Sequence, residues 1–130
     1  MKKLLAFALA LAVMLFTVGP VRAQTPVENI FAELKQQLKE HKGGELLFLL
    51  KGAGEAFGLA NARLRHKGIP QFYCQPDHLS LNAFNFVSMA IDEFERNRAF
   101  YINRPLLQET LHLSLATALL DGLQRTFPCK

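Results

Sequence analysis

Val27, Ile30, Phe31, Leu34 and Leu38 recur at intervals of three and four, while Glu33, Lys35, Gln36, Lys39 and Glu40 occupy the other side. That alternation predicts an amphipathic helix. Its start is marked by Thr25-Pro26-Val27-Glu28, where Thr25 can cap, Glu28 can reciprocate as a capping box, and proline takes the first helical position. Gly43-Gly44 ends it, with His41 and Lys42 supplying cations at the negative end of the helix dipole.

A second helix is predicted from Glu45 to Lys67, stopped by Gly68 with Pro70 beyond. Leu46 to Leu50 is apolar all round, and a run of small residues follows: Gly52, Ala53, Gly54, Ala56, Gly58 and Ala60. Each glycine within a helix costs about 1 kcal/mol relative to alanine, so three in seven positions imply a gain from missing side chains. Close approach of a neighbouring helix is the expected gain, with Gly52, Gly54, Ala56 and Gly58 as the packing residues. A phosphate-binding loop is disfavoured, because the run has no preceding strand and no Gly-Lys-Ser/Thr ending. Periodicity leaves Glu55 undecided between a buried pair and a solvated surface.

The third helix is expected from a cap at Ser80 to about Asn97, with Leu81, Phe84, Val87, Ile91 and Phe94 inward and Phe86 and Ala90 widening the stripe. Asp92, Glu93, Glu95, Arg96 and Arg98 read as a solvated face. The fourth is expected from Asn103 as cap and Pro105 to about Arg125, through Leu107, Leu111, Leu115, Ala118 and Leu119. Leu106, Leu113, Leu120 and Leu123 add more apolar positions than one stripe holds, so this helix is expected to be central or to face a second subunit. With no strand, repeat or linker in the pattern, the fold class is all-α, a small bundle of about four main helices.

Ahead of this pattern, Lys2 and Lys3 precede an apolar block from Leu4 to Val18, a break at Gly19-Pro20 and the small-residue site Val21-Arg22-Ala23. The block is shorter than the roughly 20 residues that a bilayer-spanning helix needs, so residues 1–23 read as a signal peptide cleaved after Ala23. Residues 24–130 then form a single domain, and a periplasmic location is the expectation. The charge changes accordingly. The full chain carries 15 basic and 11 acidic residues, but Lys2, Lys3 and Arg22 leave with the signal, so the mature net charge is about +1. Nothing in that balance calls for nucleic acid or an anionic membrane as a partner.

The chain has two cysteines, Cys74 in Phe72-Tyr73-Cys74-Gln75-Pro76 and Cys129 in Phe127-Pro128-Cys129-Lys130. In an oxidising compartment they read as a disulfide rather than as metal ligands, with free buried thiols or an intermolecular bridge as the alternatives. Catalytic constellations are sparse. His41, His66, His78 and His112 lie on separate segments without an i, i+4 pair, and Asp77-His78 is at most a small polar site. An enzyme is not expected, and neither a metal nor another cofactor is.

The Phe72 to Pro76 element, the capped helix after it, and the ending Ala118-Leu119-Leu120-Asp121-Gly122-Leu123-Gln124-Arg125-Thr126-Phe127-Pro128-Cys129 together resemble the Rap/Tai family of type VI secretion immunity proteins. Gly52, Glu55 and Ala56 are similar to the family's Gly-x-x-Asp-Ala segment. Two stretches depart from the family pattern: Leu46 to Leu50 has no cysteine, and Phe100-Tyr101-Ile102 stands where a short charged turn is usual. The resemblance implies a small helical periplasmic protein that binds a cell-wall amidase effector and inhibits it sterically, and that forms homodimers. On loop composition, the partner-binding element would be Arg98, Phe100, Tyr101 and Arg104, with the aromatics in the effector's cleft and the arginines at its rim. The clamp formed by Cys74 and Cys129 would hold the hairpin of the last two helices and so fix that loop. A periplasmic acid-stress chaperone and a housekeeping exported binding protein of the same fold are the alternative expectations.

Overall fold

The structure, a computed structural model, describes residues 23–130. The expected signal peptide therefore lies outside the described residues, except for Ala23. Six helices follow in order: α1 (Pro26–Glu40), α2 (Glu45–His66), α3 (Ala83–Arg96), α4 (Arg98–Ile102), α5 (Pro105–Glu109) and α6 (Leu111–Thr126). There is no strand among the described residues. The fold is an all-α bundle with one disulfide, in which α3 and α6 form the most extensive helix pair and α1 and α2 pack beside them.

Helix α1 follows its sequence closely. The Thr25 hydroxyl accepts from the Glu28 N–H, and the Glu28 carboxylate accepts from the Thr25 N–H, so both halves of the capping box are made. Val27, Ile30, Phe31 and Leu34 are buried. The helix closes on His41 in the left-handed conformation, at φ 51°, two residues before the glycines. Helix α2 ends as expected at Lys67, with Gly68 at φ +65°.

The third and fourth helices differ from expectation in their starts and continuity. Asn82, not Ser80, caps α3: its side chain accepts from the Asn85 N–H, and Asn85 returns the bond to the Asn82 backbone. Leu81 therefore precedes the helix, and Phe84 sits in its exposed first turn beside His41. The expected fourth helix is broken at Thr110, whose backbone is extended. The Ser114 hydroxyl donates to the Leu107 carbonyl across the break, giving a partner to a group the interrupted ladder leaves over. Asn103 does not cap α5. It closes α4, and Arg104 takes the capping position without a side-chain bond.

The core runs from Val27, Phe31 and Leu34 through Leu47, Leu50, Val87, Ala90 and Phe94 to Leu115, Ala118, Leu119 and Leu123. Of the additional leucines on the last segments, Leu123 is fully buried, whereas Leu106 and Leu113 face solvent. No described helix is long and apolar enough to cross a membrane.

Candidate functional site

The segment 98–104 is not an open loop. Residues Arg98–Ile102 form the short helix α4, and its side chains divide between core and surface. Tyr101 is fully buried. Its ring packs against Phe31 and Phe94, which stack on each other with centroids 4.1 Å apart, and its hydroxyl donates to the Asp121 carboxylate at 3.3 Å. Burial first, and Asp121 second, push the Tyr101 hydroxyl pKa well above its ordinary value. The expectation that Tyr101 enters a partner's cleft is thus corrected, because the ring belongs to the core. Phe100 projects the other way, 38 % exposed, and meets Tyr101 edge-on.

The two arginines also separate. Arg98 donates to Glu28 on α1, and the Glu28 carboxyl is held below its ordinary value of 4.5, chiefly by the Thr25 N–H and then by Arg98. Arg98 is therefore engaged within the fold. Arg104 places its guanidinium carbon 3.9 Å above the Phe100 ring, a cation–π arrangement on the surface. Phe100 and Arg104 thus form the exposed pair, and Arg98 and Tyr101 fasten it. Beside Phe100, a cleft of about 530 Å³ is bordered by Asp121, Gln124 and Arg125.

The last helix carries a series of ties spaced four residues apart. Asp121 holds Tyr101, Arg125 pairs with buried Glu93, and Cys129 is bonded to Cys74. Between the first two, Gly122 lies so close to α3 that a Cβ there would stand 2.7 Å from the Met89 carbonyl oxygen. The Cys74 N–H donates to the Phe127 carbonyl at 2.7 Å, so the loop and chain end are joined by a hydrogen bond as well as by sulfur. Glu93 is a further correction, because it was expected on a solvated face. It is buried and accepts from Asn97 as well as pairing with Arg125.

Only part of the small-residue run on α2 serves packing. A Cβ on Gly54 would stand 2.5 Å from the Phe86 ring, so α3 approaches there because the side chain is missing. Gly52 has nothing within 4 Å of such an atom, and Ala56 is exposed; both point away from the bundle and are not packing residues. A Cβ on Gly58 would meet only the Tyr73 hydroxyl, at 3.8 Å. Glu55 is exposed and pairs with Lys51 at 2.7 Å.

Asn61 carries no motif in the sequence, yet it organises the Cys74 loop. Buried on α2, its side-chain oxygen accepts from the Phe72 N–H at 2.8 Å, and its amide donates to the Tyr73 carbonyl. One amide thus meets one donor and one acceptor of an extended backbone, as a neighbouring strand would. A buried polar residue among small ones was the available signal. Asp77 and His78 are exposed, and Asp77 pairs with Arg65 at 2.6 Å. No group of three or more metal-ligating side chains occurs among the described residues.

The class these features define is a small disulfide-tethered helical bundle that displays an aromatic–arginine pair on a braced corner. Compared with known protein families, curated proteins and solved structures, the chain matches none.

Proposed function

We propose that the protein is a periplasmic immunity protein that binds a peptidoglycan amidase effector of a type VI secretion system and blocks its cleft sterically. The observation that carries this reading is the exposed Phe100–Arg104 pair held on a corner whose neighbours are fixed in the fold. An aromatic with an adjacent arginine is the composition of an interface anchor. Because Tyr101 is locked into the aromatic cluster and Arg98 onto Glu28, little conformational freedom is lost when the pair docks. Inhibition of this kind needs no chemistry from the inhibitor and no cofactor. A second copy of the chain is a further partner in this reading, supported by exposed Leu106 and Leu113.

Affinity capture with the protein from periplasmic and secreted extracts tests the proposal, followed by peptidoglycan hydrolysis assays on what is captured. The expected result is a cell-wall amidase whose activity falls to zero at stoichiometric inhibitor and returns when Phe100→Ala replaces the wild type. Capture of no such hydrolase, or of one that stays active when saturated, removes the reading. Sedimentation of the protein alone reads the homodimer directly, and a monomer at all concentrations rejects that part.

A further inference from the structure

Two adjoining clefts lie along α2 beneath the loop 71–81, and they share Gly58, Tyr73, Gln75 and Asp77. Their volumes are about 230 Å³ and 380 Å³. Tyr73 is only 2 % exposed, yet its hydroxyl bonds to no described protein group and borders both clefts. A buried hydroxyl without a partner is unusual, because its desolvation is normally offset by a hydrogen bond. Burial raises its pKa, so it stays neutral and keeps its proton for donation.

The groups around it are balanced between donors and acceptors. Gln71 uses its carbonyl oxygen on Asn61 and retains its N–H₂. Gln75 donates its N–H₂ to the Leu79 carbonyl and retains its oxygen as an acceptor. At the mouth, Arg65 and Asp77 neutralise each other. In the second cleft, Leu79, Leu81 and Phe86 add an apolar wall. Gly58 keeps the shared floor open, which accounts for a helical glycine that no neighbouring helix requires.

We propose that these clefts form one groove for a short extended peptide, distinct from the Phe100–Arg104 corner. The peptide's amides would bond the Tyr73 hydroxyl and the two glutamine carboxamides, and one apolar side chain would rest against Leu79, Leu81 and Phe86. A neutral, mixed donor and acceptor lining matches backbone amides better than it matches a free anion or cation.

The test is an NMR titration of the protein with the blocked tripeptide acetyl-Gly-Leu-Gly-amide, alongside Tyr73→Phe and Gly58→Ala. Tyr73→Phe removes a hydroxyl that no protein group uses, so folding should be retained while binding weakens about fivefold, the value of one hydrogen bond. Gly58→Ala should raise the melting temperature through helix propensity and still weaken binding, because its methyl enters the groove. Saturable shifts centred on Tyr73 and Gln75, reduced in both variants, are expected. No saturable shift, shifts centred elsewhere, or equal binding by both variants overturns the proposal.

Discussion

Arg98 directs its Nε, at 2.9 Å, and a terminal nitrogen, at 2.5 Å, to a single carboxylate oxygen of Glu28, while the other oxygen accepts from the Thr25 N–H at 2.6 Å. One buried carboxylate therefore closes the first turn of α1 and holds the start of α4, across 70 residues of chain. Gln108 reinforces the junction: its carbonyl oxygen accepts from the Val27 N–H and its amide donates to the Tyr101 carbonyl.

This junction makes stability depend on acid. Glu28 has a lower pKa folded than unfolded, so the unfolded chain takes up its proton first as pH falls. Its contribution is complete above the unfolded value near 4.5 and is lost as pH drops through the folded value. Urea midpoints of wild type and Glu28→Gln should therefore differ at neutral pH and converge in acid. Glu28→Ala should cost about 2 kcal/mol at neutral pH, from the lost cap and ion pair together. A constant difference across the titration would show that the carboxylate charge is not what stabilises.

The glycines of α2 and α6 should respond in opposite directions. Gly54→Ala drives a methyl into the Phe86 ring and Gly122→Ala drives one into the Met89 carbonyl, and each should destabilise by about 1–3 kcal/mol. Gly52→Ala meets nothing and should stabilise by about 1 kcal/mol through helix propensity. Chemical denaturation of the three variants reads this, and a loss of stability in Gly52→Ala would mean that its face is covered.

Phe100 and Tyr101 are neighbours in sequence with separate roles. Tyr101→Ala empties a fully buried aromatic site and should cost about 3–5 kcal/mol. Phe100→Ala should cost about 1 kcal/mol or less, since much of its ring is exposed, while abolishing partner capture. Thermal melts paired with the capture assay separate them; comparable stability losses in both would place Phe100 in the core as well.

Reducing the Cys74–Cys129 bond, which closes a sequence separation of 55, should lower stability by about 4 kcal/mol. Both cysteines are exposed, so a mild reductant should reach the bond without prior unfolding. Guanidinium titrations with and without reductant give the loss. The Asp121–Tyr101 and Arg125–Glu93 ties should keep the α3–α6 pair assembled after reduction, retaining helical circular dichroism in the absence of denaturant.

Much of the fold was legible in the chain because its causes are local. The Thr25–Glu28 box, the α1 stripe and the Gly68 stop each act within a few residues, and each is found where periodicity and capping chemistry place it. The break at Thr110 was hidden, because the leucines continue through it and the stabilising Ser114 bond to Leu107 spans seven residues. Phe100 and Tyr101 have similar sequence character, so nothing local says which one the cluster of Phe31 and Phe94 will take. Glu93 likewise reads as a surface acid until Arg125 is brought beside it.

The sequence by itself determined an all-α chain, the span of α1 and α2, and the pairing available to its two cysteines, since backbone hydrogen bonding and side-chain periodicity act at short range. Tertiary structure decided which glycines are approached, which arginine stays available and which tyrosine hydroxyl opens into a cleft. Those outcomes depend on side chains 12 to 81 residues apart in the chain, from Asn61 on the Cys74 loop to Gln108 on the first turn of α1. No window of local pattern contains both partners.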